Sequence, residues 1–236
     1  MQTSKRNSVG NYQITFKRDL VGCAFLAGIN GIQGGQTSVR QLNAKVVQIF
    51  TFGRTGTARD LGFSLLGNCE GGLAPLQGEL VINEVMANPA GTGSDASQEW
   101  FELFNPTQKS ISLKGLTLST GASSQAVTCS AVVQPGAFAL FARSTSANGG
   151  LPPVDCAFTL TLVNSGGSLT IRRGATLVDA VDFTGTSWQD GRALGVQPGA
   201  ANAVANDSLA NWCFNAQSNY GGSNFGTPKA ANLNCF

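Results

Sequence analysis

Apolar and polar residues alternate along most of this chain with a period of two. That period marks strands, in which successive side chains point to opposite faces. It is clearest in Leu80-Val81-Ile82-Asn83-Glu84-Val85 and in Gln98-Glu99-Trp100-Phe101-Glu102-Leu103-Phe104-Asn105-Pro106. A regular strand over the first stretch sets Leu80, Ile82, Glu84 and Met86 on one face and Val81, Asn83 and Val85 on the other. In the second, Trp100, Glu102 and Phe104 alternate with Glu99, Phe101 and Leu103. Both faces are partly apolar, as in the inner strands of a sandwich. Asn105-Pro106 ends the second strand, because proline lacks the N–H that a ladder needs.

The same pattern predicts strands over 12–16 and 21–29, a pair over 37–42 and 45–52, and a closing strand over 61–66. Further strands are expected over 79–86, 99–105, 111–119, 125–133, 137–142, 157–163, 168–173 and 176–183, separated by turn residues at the spacing of a β-sandwich. No segment has a helical period. Residues 1–10 are polar and read as an unpaired arm. Residues 185–236, rich in Gly, Asn and Ala, read as an irregular tail anchored by Trp188 and Trp212. The expected fold is all-β. A small β-module occupies 1–69, a linker with paired Gly and a Pro occupies 70–77, and a sandwich with its irregular tail occupies 78–236.

Five ordered blocks carry a family resemblance: "INEV…EWFELFNP", "ISLKGLTLSTG", "VVQPGAFALFA", "SGGSLTIRRG" and a closing "FGTPKAAN". Over residues 78–234 the chain resembles the bacterial lamin-tail domain. The resemblance implies an immunoglobulin-like β-sandwich with an interaction role, sometimes linked to DNA, and without a common catalytic site. Residues 10–69 look like the short β-modules at the ends of some bacterial surface proteins, and no function is carried over from these.

Composition narrows the chemistry. Charged residues make up 12% of the 236, about half the usual share, and small polar residues fill the surface instead. The chain has no histidine, so it has no Ser-His or Cys-His pair. It also lacks a G-x-S-x-G elbow and a phosphate loop. The six cysteines, 23, 69, 129, 156, 213 and 235, include no C-x-x-C spacing, which argues against zinc or haem. An even count points to disulfides and an oxidising compartment, hence a secreted or cell-surface protein. Fifteen connectivities are open. Pairing of nearest neighbours, Cys23 with Cys69, Cys129 with Cys156 and Cys213 with Cys235, keeps each bridge inside one module. No apolar stretch approaches the ~20 residues of a membrane helix, and no apolar segment of a signal peptide follows Met1–Arg6. Export would then use a removed leader or a signal-independent route.

Five of the thirteen acids fall between positions 79 and 102: Glu79, Glu84, Asp95, Glu99 and Glu102. A glycosidase needs two carboxylates about 5–10 Å apart across one bond, and a strand points Glu99 and Glu102 to opposite faces. Glu84 and Glu102 share a face if their strands pair. The expectation is a structural role, with the carboxylates accepting hydrogen bonds from loop amides or pairing with Arg. Glu84, Asp95 and Glu102 are the candidate calcium ligands, since oxygen donors suit that cation, although the loop 91–95 lacks an EF-hand pattern. No other cofactor is expected.

Charge is unevenly divided. Residues 1–69 carry eight Lys and Arg against two Asp and Glu, a balance of +6; residues 70–236 carry seven against eleven, a balance of −4. The basic pairs Lys5-Arg6, Lys17-Arg18 and Arg172-Arg173 are too sparse for a nucleic-acid stripe. The sequence thus predicts a non-enzymatic extracellular structural protein, a subunit of a filament, sheath or coat that meets itself head to tail. The alternative is a secreted adhesion module recognising a glycan or other surface ligand.

Overall fold

The computed structural model describes residues 3–20, 22–32, 34–69, 71–91, 95–146 and 149–234. The chain divides into two compact units, Met1–Ala74 and Pro75–Phe236.

The first unit contains β1 (Thr3–Ser8), β2 (Asn11–Thr15), β3 (Cys23–Ile29), β4 (Gln36–Asn43), β5 (Val46–Phe52) and β6 (Phe63–Cys69). Four of them form an antiparallel sheet in the order β1-β2-β5-β4, and β3 pairs with β6. Alternation turns Ile14, Val47 and Ile49 inward to meet Leu20 and Ala27, with Phe16, Phe25, Val39, Phe63 and Leu65 packed around them. Cys23 and Cys69 face each other in the β3–β6 register and are disulfide-bonded. The bridge spans 46 positions, which restricts the unfolded chain and suits a unit with a small core.

Residues 3–8 are not an unpaired arm. They form an edge strand on β2, and Arg6 ties that strand down through two hydrogen bonds to the Asp60 carboxylate, at 3.0 and 2.5 Å. Asp60 also accepts the Gly10 N–H at 2.8 Å and the Tyr12 hydroxyl at 2.9 Å. The Arg6 bond, then the Gly10 amide, hold the Asp60 carboxyl well below the usual carboxylate range. All six side chains of β1 are exposed, so the strand rests on backbone pairing and leaves no hydrophobic period to read.

The second unit contains β7 (Val81–Met86), α1 (Asp95–Gln98, a single turn), β8 (Trp100–Phe104), β9 (Ile111–Ser112), β10 (Thr117–Thr120), β11 (Ser123–Ala126), β12 (Val132–Val133), β13 (Phe138–Ala142), β14 (Cys156–Ala157), β15 (Ser168–Arg173), β16 (Thr176–Asp182), β17 (Leu194–Val196), β18 (Trp212–Phe214), β19 (Asn219–Gly221) and β20 (Asn224–Phe225). A six-stranded sheet runs β14-β13-β8-β7-β17-β18 and a four-stranded sheet runs β11-β10-β15-β16; β9 with β12 and β19 with β20 form two short pairs. On the inner face of the larger sheet, Phe101 stacks on Phe141 at 4.7 Å and meets Phe158 edge-on at 5.2 Å. The four-stranded sheet contributes the buried Leu118, Leu169, Ile171, Val178 and Val181. Cys129 and Cys156 are disulfide-bonded. The expected pairing of Cys213 with Cys235 falls on Cys235, which lies outside the described residues.

Three expectations change. First, β7 is not regular. Ile82 pairs with Leu103 and Glu84 with Glu102, so Asn83 is an extra residue in a β-bulge. The bulge reverses the alternation: Ile82 and Val85 share the inner face, while Val81, Glu84 and Met86 face away with Trp100 and Glu102. Second, Trp100 is fully buried but outside the inter-sheet core. It belongs to a second cluster with Met86, Leu140, Ala142 and Ala193, packed by Leu151, Val154 and Tyr220. Third, the tail is not irregular throughout. β17 adds directly to β7, and β18 adds to β17. Strands of three residues are too short to display a period. By contrast, 157–163 is strand only at Ala157.

Trp212 anchors the tail as expected: it is buried, meets Phe183 edge-on at 5.2 Å and donates from Nε1 to the Asn206 carbonyl at 2.7 Å. Trp188 packs on Phe183 at 5.7 Å.

The two cores make a mutational prediction. Phe101→Ala and Trp100→Ala should each lower unfolding free energy by about 3–5 kcal/mol, the range for deleting a large buried aromatic side chain. Chemical denaturation measures both. A Trp100 variant as stable as the parent would contradict the second core.

Candidate functional site

The β7–β8 register sets Glu84 directly opposite Glu102, near the middle of the six-stranded sheet and on its outward face. Both side chains are 0% exposed. Two like charges placed across a strand pair and removed from water are unfavourable unless protons or donors answer them. The donors come from far along the chain. The Thr227 N–H reaches both oxygens of Glu84 at 3.0 Å, and its hydroxyl lies 3.0 Å from Oε2. Glu102 accepts the Lys229 N–H at 2.5 Å and the Asn83 amide at 3.0 Å. Lys229, at φ 67°, is the one non-glycine residue with positive φ among the described residues. Its side chain is not directed at either glutamate, because its ammonium bonds Asp155.

Asn232 closes the cluster. Its amide donates to the Asn83 and Val196 carbonyls, both at 2.8 Å, and its oxygen lies 2.8 Å from the Thr227 hydroxyl. The approach depends on Gly195, where an added Cβ would stand 3.0 Å from the Asn232 amide group. Gly226 is as tight, since a Cβ there would meet Trp100 at 2.9 Å. Trp100 donates from Nε1 to the Tyr220 oxygen at 2.9 Å, with the rings edge-on at 5.7 Å. Residues 220–232 therefore form a lid over the carboxylate pair.

The lid favours protons on the pair. Burial pushes Glu84 up to about 7, against the opposing Thr227 bonds. Burial and then the neighbouring Glu84 raise Glu102 well above the carboxylate range. The hydrogen bonds fit that state. With both Asn232 amide hydrogens given to carbonyls, its oxygen takes the single Thr227 hydrogen, and a protonated Glu84 can donate to the Thr227 oxygen. A third carboxylate, Asp179, is buried on β16. It accepts the Ile82 N–H and the Asn206 amide, each at 2.7 Å, and burial raises it to about 6.

The other acids of the 79–102 cluster are dispersed. Glu79 accepts the Leu76 N–H at 2.9 Å and lies 3.7 Å from Lys109. Glu99 bonds Arg143 at 3.1 Å and the Leu162 N–H at 3.2 Å. Of the calcium candidates, the structure brings Glu84 and Glu102 together; Asp95 opens α1, and its side chain lies outside the described residues. No group of three His, Cys, Asp or Glu able to hold a metal occurs among the described residues. What the arrangement does chemically is clamp a distant segment to the sheet. Sequence reasoning placed the two glutamates on a shared face. The closing "FGTPKAAN" block holds the donors Thr227 and Lys229, and Asn232, which fixes Thr227 in place, and no pattern in the sequence marks them as partners of the pair.

A family model described as Lamin Tail Domain matches residues 74–222. The chain belongs to the lamin tail domain family. Its second unit has the immunoglobulin-like β-sandwich of that family, in general a non-catalytic domain type. No curated protein and no solved structure matches the chain. The matched span of the lamin tail domain holds both glutamates, and their donors Thr227 and Lys229 lie beyond it.

The clamp predicts a pH dependence. Glu84, Glu102 and Asp179 are all raised in the folded state, so folding takes up protons, and their contribution is full below the ordinary carboxylate range and is lost as pH rises. For Glu84 the loss runs from about 4.5 to about 7. The melting temperature of the parent should fall across this window. Glu84→Gln, which mimics the protonated form, should flatten the profile and raise the melting temperature at pH 8 above that of the parent. A profile no flatter in the variant would refute the assignment.

Proposed function

We propose that this lamin tail domain protein is a non-enzymatic extracellular structural protein, a subunit of a filament, sheath or surface coat in which copies meet head to tail. The observation that carries the reading is that its sheets end on outer strands, some of them exposed, although β16 already accepts the Gly78 N–H on its Val178 carbonyl. β1 and β4 are the outer strands of the first sheet, and β11 and β16 those of the four-stranded sheet. β1 is exposed along all six residues. Edge strands present unpaired backbone groups to a neighbour. A contact between different edges of identical copies is heterologous, so it continues as a ring or filament.

Charge supports the orientation less than the sequence count suggests. Four of the eleven acids behind the −4 balance, Glu84, Glu99, Glu102 and Asp179, are buried. The disulfides among the described residues, Cys23–Cys69 and Cys129–Cys156, support an oxidising and hence extracellular setting. No helix among the described residues is long and apolar enough to cross a membrane.

Negative-stain imaging and light scattering of the intact chain, at low and high salt, test the proposal. Ordered fibres or lattices are expected. Removing residues 1–74 should abolish them while the sandwich keeps its circular dichroism. A folded sandwich that still gives the same oligomer, or an intact chain that stays monomeric throughout, would end the head-to-tail reading.

A further inference from the structure

The first unit carries a sheet face that its own core does not use. Alternation sends Ile14, Val47 and Ile49 inward. The register therefore aligns Lys5, Gln13, Gln48 and Arg40 in one row across the opposite face, from β1 through β2 and β5 to β4. The next row on that face is Asn11, Phe50 and Ser38. None of the four strands contains an Asp or Glu.

The row is held in place. Arg40 donates from Nε to Gln48 at 2.9 Å, and Gln48 donates to Asn11 at 2.8 Å, linking three strands through their side chains. Gln48 is thereby buried, while Arg40 and Lys5 are exposed. The Arg40 guanidinium stands 5.8 Å from the centre of the Phe50 ring. Phe50 and Phe52 lie on the same face with their rings nearly parallel, 17° apart at 6.5 Å. Lys17 and Lys45 are exposed at one end of the face, where the Phe16 N–H bonds the Lys45 carbonyl.

We propose that this face binds an anionic polysaccharide. Each group has a counterpart in such a chain. A guanidinium with its fork free pairs with a carboxylate or sulfate in two-point geometry. Gln13, half-buried between Lys5 and Gln48 in the row, offers an amide donor and acceptor side by side, which matches vicinal hydroxyls. Half-exposed phenylalanine rings give the C–H face of a sugar ring an apolar surface. Eight cations against two acids in residues 1–69 draw a polyanion to the unit as a whole, and one of those acids, Asp60, is already bonded to Arg6. A single-stranded nucleic acid also uses cations and aromatic rings, but the disulfide in this unit argues for an oxidising compartment. The proposal does not depend on assembly.

Affinity electrophoresis and titration calorimetry of the intact protein test it, with heparin and polygalacturonate as sulfated and carboxylated probes, dextran as the neutral one and an oligothymidylate as the nucleic acid. Retardation by at least one polyanion is expected, weakening with added salt. The stronger of the two identifies the anionic group. Arg40→Gln and Phe50→Ala should each weaken binding about tenfold, with Lys5→Gln as a second variant whose edge position leaves the core untouched. Each variant is checked by its melting curve. Lys114→Gln, in the other unit, should bind as the parent does. The proposal is overturned by no binding of either polyanion, by dextran binding equally well, by folded Arg40 and Lys5 variants that bind like the parent, or by tighter binding of the oligothymidylate.

Discussion

Two carboxyl groups set opposite each other in a buried sheet are the constraint on which the second unit depends. Glu84 and Glu102 cannot lie bare against apolar neighbours, because an unanswered buried charge is among the most destabilising features a fold can carry. The backbone around them is bonded into the sheet, so donors have to come from elsewhere. Several features then have one reason. The Asn83 bulge turns Glu84 to the outward face and supplies an amide to Glu102. Gly195 and Gly226 leave room for the returning segment. The left-handed Lys229 lies where the chain delivers an N–H to Glu102. The second apolar cluster, around Trp100, exists because the lid that satisfies the acids also excludes water from the tryptophan.

The first unit solves a different problem. It is small, so a disulfide between facing residues of β3 and β6 supplements a core of modest size. Its outermost strand contributes nothing apolar and is retained by backbone pairing and one exposed carboxylate that gathers Arg6, Gly10 and Tyr12. The carboxylate that organises this unit lies at the surface, whereas those of the second are enclosed.

Legibility in the sequence followed the same division. β7, β8, β13, β15 and β16 were visible because long alternating runs carry their own period. The two pairings Cys23–Cys69 and Cys129–Cys156 followed from proximity in the chain. What escaped were features whose cause is tertiary. A bulge has no compositional mark, so Ile82 and Glu84 were placed on one face when they occupy two. β17 is Leu-Gly-Val in a Gly-rich context, and it is a strand only because β7 offers an open edge. β1 is polar throughout and is ordered by its neighbour. Of the candidate site, the carboxylates were legible as an acidic pair across two strands. Their distant partners were not, because a Thr and a Lys backbone in a polar tail look like any loop until the chain returns them to the sheet.

The distance of that return has a temporal meaning. Thr227 lies 143 positions beyond the glutamate it serves, and a contact of such separation carries a loop-closure cost that local contacts do not. A ribosome delivers the acids long before it delivers their lid. Until residues 227–232 emerge, the central strands hold two carboxylates that favour water over the sheet, and the unit has reason to stay open. Closure of the second unit is thus coupled to the arrival of residues 227–232 through a proton-holding pair. A chain cut short of Thr227 would keep every strand of the sandwich and lose the Thr227 and Lys229 amides that answer the two acids.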